Sequence, residues 1–298
     1  MAHNIRPARG QHTVTERLLK GFAADDGRLA VFDREFRQRR LRTPGAGIFT
    51  TNFDSWDSRG SEDRWNLFEV NFPAALARVK NRAALMDPPT VDTLRDMLAL
   101  HWLRSRGMVR ARGQAVSRTF GSYRRDAPDT RPELLAEALR QRTGLVATSR
   151  SSLEWMADQM INDVQANDLA KWHSQQNLEY FQAARTRFQQ LDLHVHYSDT
   201  RDLAIGDCPV VTTIKGRSGA GPHQDIGVQK ADHVAMPITP DILITLGAEP
   251  PSKNLSDNEA DYYDNLQWST FEVWIAARPG GTADQRLKHE AQQKRPLP

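Results

Sequence analysis

Leu193-His194-Val195-His196-Tyr197-Ser198 is the stretch of this chain that decides its fold class. Apolar and polar residues alternate along it, which is the period of a strand with one buried face. In the preceding residues, 151–190, apolar side chains recur three or four positions apart, which is the period of a helix. The change of period near Leu191 therefore predicts a chain that is helical in its middle and strand-rich afterwards.

Several short segments after this stretch also have the character of strands, and turn residues separate them. These segments are 203–206, 209–214, 233–238, 241–246 and 271–277. Helices gathered in the middle and strands gathered late are typical of an α+β fold rather than of a βαβ repeat. The sequence therefore predicts a central helical region with a largely antiparallel C-terminal sheet.

The expected organisation is one compact domain with two differently built parts. Residues 1–190 form a mainly helical, basic part with a short N-terminal strand at 29–33, and residues 191–278 form a strand-rich part that packs on it. The expected helices begin near Ser61, at Thr90, at Pro132 and near 151, and Pro73 is expected to interrupt the first of them. Residues 279–298 are expected to be a polar, frayed tail.

Composition limits the protein classes. The chain has 298 residues, of which 39% are apolar and 26% charged, as in globular proteins. Its one cysteine, Cys208, excludes an intrachain disulfide and a multi-cysteine zinc site. No run of about 18 apolar residues is present, and the N-terminal residues lack an apolar signal segment. These features predict a cytoplasmic protein with no membrane partner.

Charge is distributed unevenly along the chain. Arginine supplies 32 of the 40 basic residues. Residues 1–150 carry a net charge of +10 and residues 151–298 a net charge of −7. This asymmetry predicts either that the two halves dock on each other or that the first half meets an anionic partner. The arginine content itself fits a GC-rich genome as well as a need for bidentate phosphate donors.

Several segments resemble those of the bacterial DUF4238 family of proteins of unknown function. Residues 11–22 carry the His, Val, Leu, basic and Phe positions of its opening motif, although Thr15 replaces a proline and Leu18 a tyrosine. Residues 29–34 resemble the strand that follows. The other similar segments are Phe68-Glu69, residues 98–106 without the usual Thr-Pro, residues 205–210 and residues 236–240. The resemblance implies a fold and a set of marked positions, but no activity.

Four polar residues at these marked positions are the candidates for chemistry. They are His12, Glu69, Arg104 and Asp207. His12, Glu69 and Asp207 have side chains suited to general acid and base catalysis, and Asp207 also to metal binding. Arg104 is suited to bind phosphate, together with Arg106 and Arg110. The alternative is a buried polar network that fixes the N-terminal segment on the core.

Two further motifs could carry chemistry. His194 and His196 lie two apart on a predicted strand, so both imidazoles could face one divalent metal ion, the only cofactor the sequence suggests. Asp199, Asp202 or Asp207 would then supply a third ligand. The alternative is a solvated strand face. Cys208 is interpreted as a core residue rather than as a nucleophile, because no catalytic signature surrounds it.

Two segments bear on phosphate binding. Residues 104–125 hold seven arginines with Phe120 and Tyr123 among them, a pattern that favours binding to nucleic acid. A second basic cluster spans 34–42. The competing interpretation pairs these arginines with acidic residues of the second half. Those expected partners are Asp257, Glu259, Asp261 and Asp264. The glycine-rich stretch 216–221 lacks the ending of a P-loop and is predicted to be a flexible hairpin loop.

The first functional hypothesis is a protein that binds or hydrolyses nucleic acid or another phosphate-rich substrate, in its sharpest form a metal-dependent nuclease. The second is a non-enzymatic interaction module that docks an acidic protein partner, in a defence or mobile-element context. An enzyme that uses NAD or ATP ranks third, because no phosphate-binding loop of the known kinds is present.

Overall fold

The computed structural model describes residues 11–51, 65–82, 87–165, 169–224, 226–248 and 253–293. Its helices are α1 (Glu16–Lys20), α2 (Phe72–Lys80), α3 (Pro88–Arg104), α4 (Arg106–Thr130), α5 (Pro132–Thr143), α6 (Arg150–Asp163), α7 (Leu169–Gln189), α8 (Asp257–Thr270) and α9 (Thr282–Gln292), and residues 65–69 are also helical. Its strands are β1 (Gln11–His12), β2 (Leu29–Asp33), β3 (Gln38–Arg42), β4 (Thr50–Thr51), β5 (Leu193–Tyr197), β6 (Ile205–Gly206), β7 (Val211–Thr213), β8 (His233–Thr239), β9 (Ile242–Gly247) and β10 (Trp274–Ala277).

The strands form two four-stranded antiparallel sheets and one short pair. The first sheet has the order β3-β2-β10-β6, the second has the order β5-β9-β8-β7, and β1 pairs with β4. In the first sheet, β10 lies antiparallel to β2, with Trp274 opposite Asp33 and Ala277 opposite Ala30. The predicted α+β class is confirmed, and the N-terminal hairpin shares a sheet with strands from the C-terminal part.

Both sheets bury residues on both faces, apart from the largely exposed edge strand β3, and one large hydrophobic cluster joins them to the helices. Val31 of the first sheet and Ile244 of the second face this main cluster, together with Leu98 of α3 and Phe188 of α7. The opposite face of the first sheet packs on α9, and the opposite face of the second packs on α8. The main cluster therefore extends across the boundary near residue 190 that separates the two parts in the sequence.

The helix boundaries follow local signals in the sequence. Pro73 interrupts the helical stretch, as expected, because it lies in the first turn of a new helix, α2. Proline is favoured in the first turn because the backbone N–H that it lacks has no partner within the helix there. Gly144 ends α5 in the left-handed region with φ 73°. Ser149 caps α6, its Oγ accepting a hydrogen bond from the backbone of Ser152. Helices α4, α5 and α6 pack around a smaller cluster of their own.

The tail predicted after Pro279 differs from the structure. Residues 282–292 form helix α9, which packs on β2, β3 and β10. Its turns bury Ala283 and Leu287 against the first sheet. The helix is polar overall, and its apolar stripe consists only of these two residues and the partly buried Ala291, which explains why its sequence suggests a polar tail.

Candidate functional site

Three predicted site residues, Arg104, Arg106 and Arg110, lie at the junction of α3 and α4, and Glu69 and Asp207 contact the first two of them. Helix α3 ends at Arg104 and α4 begins at Arg106, so Ser105 alone separates them. Ser105 has extended backbone angles, φ −61° and ψ 146°. Its Oγ donates to the Trp102 carbonyl at 2.8 Å and accepts from the Met108 N–H at 3.2 Å. This cap turns the chain and directs the two arginines to different partners.

Glu69 and Arg104 form a largely buried ion pair. The Arg104 Nη1 lies 3.1 Å from Glu69 Oε1, and the two side chains are 10% and 13% exposed, respectively. Arg17 of α1 donates a hydrogen bond of 2.5 Å to the Glu69 carbonyl. The structure therefore brings two predicted site residues together and ties them to the segment whose first strand carries His12.

His101 of α3 also contacts this N-terminal segment. It was not among the predicted site residues. It is fully buried; its Nε2 accepts from the Thr15 N–H at 3.3 Å, and its Nδ1 lies 2.8 Å from the Met97 carbonyl. Burial, assisted by the charge of Arg104 and opposed by the hydrogen bond to the Met97 carbonyl, lowers the pKa of His101 to about 3. The ring is therefore neutral, with Nδ1 as the donor. The one feature of the sequence that could have pointed to His101 is its position in segment 98–106, which resembles the family.

Asp207 fastens the start of α4 to the strand that follows α8. Its two carboxylate oxygens accept hydrogen bonds from the backbone N–H groups of Glu272, at 2.8 Å, and Val273, at 2.7 Å. The Arg106 Nε lies 3.3 Å from Asp207 Oδ2, and the Arg106 N–H donates to the Asp207 carbonyl. Asp207 is fully buried, and this burial raises its pKa to about 6.

Arg110 completes the set of predicted phosphate-binding arginines. Its Nη1 lies 3.0 Å from both carboxylate oxygens of Glu272, in a surface pair. With the two pairs above, each of the three arginines contacts a carboxylate of this chain. Their charge is locally compensated, so a phosphate would have to compete with these carboxylates. The catalytic and phosphate-binding roles of these residues stay predictions.

The remaining arginines of segment 104–125 lie on α4. Most of them have partners within the protein: Arg112 contacts Asn177 and the Leu103 carbonyl, Arg124 contacts Asp158, and Arg125 contacts Asp126. Arg118 is exposed. Tyr123, expected to stack on bases, packs instead against the cluster between α4, α5 and α6. Most arginines of this segment therefore contact other parts of the protein, as far as the described residues show.

The acidic residues expected to pair with the basic half have other partners. Arg201 contacts Asp257 and Asp261, and Arg286 contacts Asp264, all within the second half. Glu259 accepts hydrogen bonds from Ser256 at the start of α8. Contacts between the halves do occur through other residues. Arg39 of the second basic cluster forms a bidentate pair with the buried Asp284 of α9, at 2.6 and 2.8 Å.

His194 and His196 share one face of β5, with ring centroids 6.3 Å apart. The His196 Nε2 lies 2.9 Å from Thr245 Oγ1, and the His194 Nε2 lies 3.3 Å from the Gly247 carbonyl. Both imidazoles thus bridge β5 to β9, while Asp207 follows a strand of the other sheet. Among the described residues, no three His, Cys, Asp or Glu side chains are grouped so as to hold a metal ion. The metal role of these residues stays a prediction.

Cys208 is buried, and its Sγ accepts a hydrogen bond from the Gly107 N–H at 3.1 Å. Burial, with the negative charge of Asp207 adding to it, raises the pKa of the thiol well above its ordinary value. A protonated, enclosed thiol is a poor nucleophile, which fits the interpretation of Cys208 as a core residue.

A groove of about 1160 Å³ opens between the β7–β8 connection and α8, and we call it the loop groove. It is lined by residues 213–220 together with Arg187, Leu191, Gln224, Asp232, His233, Ala248, Tyr262, Tyr263, Asn265, Leu266 and Ser269. The glycine-rich stretch forms one wall as the connection between antiparallel strands, which agrees with the predicted hairpin loop. Gly219 has φ 102°, and a Cβ there would collide with the Gln224 side chain.

Cations and aromatic rings both line the loop groove. Lys215 and Arg217 lie on the glycine-rich wall and are exposed. On the α8 side, Tyr262 is 51% exposed and meets Tyr263 edge-on, with ring centroids 5.2 Å apart. The Tyr263 hydroxyl lies 3.0 Å from His233 Nε2. Sequence reasoning missed this groove because its walls come from segments about fifty residues apart, and the glycines were its one visible signal.

The architecture and the groove define an α+β protein with two buried antiparallel sheets and a cationic, aromatic groove beside one of them. The chain belongs to the DUF4238 family of proteins of unknown function, whose model matches residues 10–291. Comparison with curated proteins and with solved structures finds no similar chain. Among the described residues, no helix combines the length and apolar character needed to cross a bilayer.

Proposed function

We propose that this protein binds nucleic acid or another phosphate-rich ligand in the loop groove. The observation that carries the proposal is that exposed cations and an exposed tyrosine line one groove of about 1160 Å³. Phosphates are bound by lysine and arginine, and bases stack on aromatic rings. A groove with both kinds of group suits a ligand that has both phosphates and rings.

Arg217 is the residue best placed to bind phosphate. It is exposed and makes no ion pair or side-chain hydrogen bond among the described residues, so its donors are available to a ligand. Arg104, Arg106 and Arg110 each contact a carboxylate instead. Asp232, the acidic residue of the groove, accepts a hydrogen bond of 3.1 Å from the Lys215 backbone. This bond supports the loop that presents Arg217.

A nuclease-like hydrolysis is the sharper form of the proposal. In it, His12 and Glu69 act as acid and base, Asp207 binds a divalent metal ion, and the three arginines near the α3–α4 junction bind phosphate. Cleavage of labelled RNA and DNA with Mg²⁺ or Mn²⁺ tests this form, and His12→Ala and Glu69→Gln should abolish it.

The binding proposal is tested with labelled single-stranded RNA and DNA at low salt. Arg217→Ala should weaken binding by about 5–10-fold, because one phosphate contact is lost. Arg140→Ala is the matched control, since Arg140 is an exposed arginine on α5, paired with Glu137. Absence of binding to either nucleic acid, or equal losses in both variants, would contradict the proposal.

An interaction module without catalytic activity is the second candidate. The three compensated arginines around Ser105 favour it, because they show the marked residues holding helices and strands together. Its exposed basic surface would dock an acidic protein partner. This candidate predicts that Asp207→Ala lowers the melting temperature and that the wild-type protein cleaves no nucleic acid.

A further inference from the structure

A second cleft of about 540 Å³ meets the loop groove at Arg217, whose side chain lines both. The second cleft is lined by Trp102, Tyr180, Ala183, Arg217, Gly227, Val228, Gln229 and Lys230. Small-molecule sites usually enclose about 300–1000 Å³. Two neighbouring clefts that share one arginine together offer more room than a single nucleotide fills, which points to a polymeric ligand.

The second cleft has its own aromatic platform, Tyr180, which is 37% exposed. The Arg112 guanidinium lies 5.2 Å from the centroid of the Tyr180 ring, and Arg112 also donates to the Leu103 carbonyl at 3.0 Å. This fixed cation holds the ring in place before any ligand arrives. Each cleft therefore presents one exposed tyrosine, and Arg217 lies where the two clefts meet.

The wall between the two clefts is anchored to α7. Arg187 donates a hydrogen bond of 3.2 Å to the Ala231 carbonyl, and the Gln229 side chain donates one of 3.2 Å to the Ala183 carbonyl. Lys230 lies exposed on the same wall. The anchored segment thus adds a second cation, Lys230, to the lining of the second cleft.

From this arrangement we propose that a single-stranded polynucleotide runs through both clefts, with bases stacked on Tyr262 and Tyr180 and a phosphate on Arg217. This inference rests on the proposed function and names its ligand class. A single strand suits the arrangement because its bases are unpaired and free to stack, whereas a duplex keeps its bases inside.

The test measures how affinity depends on ligand length, with the full chain and labelled oligothymidylates of about three and about twelve nucleotides at low salt. The longer strand should bind at least about tenfold more tightly, because it reaches both platforms. Tyr180→Ala should remove most of that gain, and Tyr180→Phe should keep it because the ring remains. Trp155→Ala, which removes an exposed ring on α6, is the control and should bind like wild type.

Three results separate the inference from the proposed function. Equal affinity for both lengths, with no loss in Tyr180→Ala, would overturn the two-cleft ligand while leaving binding in the loop groove intact. Tighter binding of a duplex than of a single strand of equal length would overturn it as well. If neither oligonucleotide binds, the proposed function fails too. A melting curve like that of wild type confirms that each variant is folded.

Discussion

His101 makes the stability of this fold depend on pH. Burial lowers its pKa to about 3, whereas a histidine in an unfolded chain titrates near 6.5. As the pH falls, the unfolded chain binds the proton first, so the native state loses stability. The loss begins near pH 6.5 and continues to about pH 3, at about 1.4 kcal/mol per pH unit.

Replacing His101 should remove this loss. Between about pH 7 and about pH 5, the free energy of unfolding of the wild type should fall by about 2 kcal/mol more than that of His101→Gln. The glutamine keeps an acceptor for the Thr15 N–H but binds no proton. Urea denaturation at each pH measures the difference, and His289→Gln, an exposed histidine of α9, serves as control. Parallel pH curves would contradict the role given to His101.

A variant at Asp207 distinguishes a structural role of this residue from a purely catalytic one. Asp207→Ala leaves two partly buried backbone N–H groups and the Arg106 side chain without their acceptor. We expect the free energy of unfolding to fall by about 3 kcal/mol. Asp199→Ala is the control, since its pair with Arg82 is exposed and contributes about 0–1 kcal/mol. An unchanged free energy of unfolding in Asp207→Ala, measured by urea denaturation, would show that the contacts of Asp207 do not stabilise the fold.

At the scale of elements, the strands of the second sheet were predictable, whereas β1, β3, β4 and three helices were not. The alternation at 193–198 and the turn residues after it predict the strands of the second sheet closely. Helices α4 and α8 are polar along most of their length, so no apolar stripe marks them. Helix α9 depends on contacts with strands about 250 residues away, which local pattern cannot reveal.

The same limit applies to the candidate site. The sequence shows that positions 69, 104 and 207 carry charged residues within segments that resemble the family. It does not show which residues these side chains contact. Arg106 meets Asp207 and Arg110 meets Glu272 only because β6 and the end of α8 lie beside the start of α4. The loop groove likewise depends on α8 facing the β7–β8 connection. Pairings across more than a hundred residues are set by the whole fold.

Helix α9 should contribute measurably to stability despite its polar sequence. Leu287 is fully buried against β2 and β10, so Leu287→Ala should lower the free energy of unfolding by about 2–4 kcal/mol. Gln285→Ala, on the exposed side of the same helix, should change it by less than about 0.5 kcal/mol. Chemical denaturation compares the two. Equal, small effects would support a frayed tail instead.

At the scale of the whole molecule, ion pairs within the protein neutralise many of the arginines that make the first half basic. The basic first half contacts carboxylates of the second through Arg39, Arg106 and Arg110. The prediction that oppositely charged halves dock is therefore supported by these pairs. Few cations line the two clefts. They are Arg187, Lys215, Arg217 and Lys230.

This small number of cations predicts a shallow salt dependence of binding. Each phosphate contact with a single strand contributes a slope of about −0.7 in a plot of log K against log salt concentration. With two to four contacts, the slope should lie between about −1.5 and −3. Titrations at several salt concentrations measure it. A slope steeper than about −5 would mean that the arginines of α4 leave their carboxylates to bind the ligand.

The first sheet also constrains how this protein can be made. Strand β2 ends at Asp33, but its neighbour β10 begins only at Trp274. A ribosome adding about 5–20 residues per second needs roughly 10–50 s to cover that distance. During this time the inner edge of the first hairpin has no neighbour, and an open edge is prone to pair with other chains. A nascent chain stopped before residue 274 would keep that edge exposed, so shielding during synthesis matters most for the earliest strands.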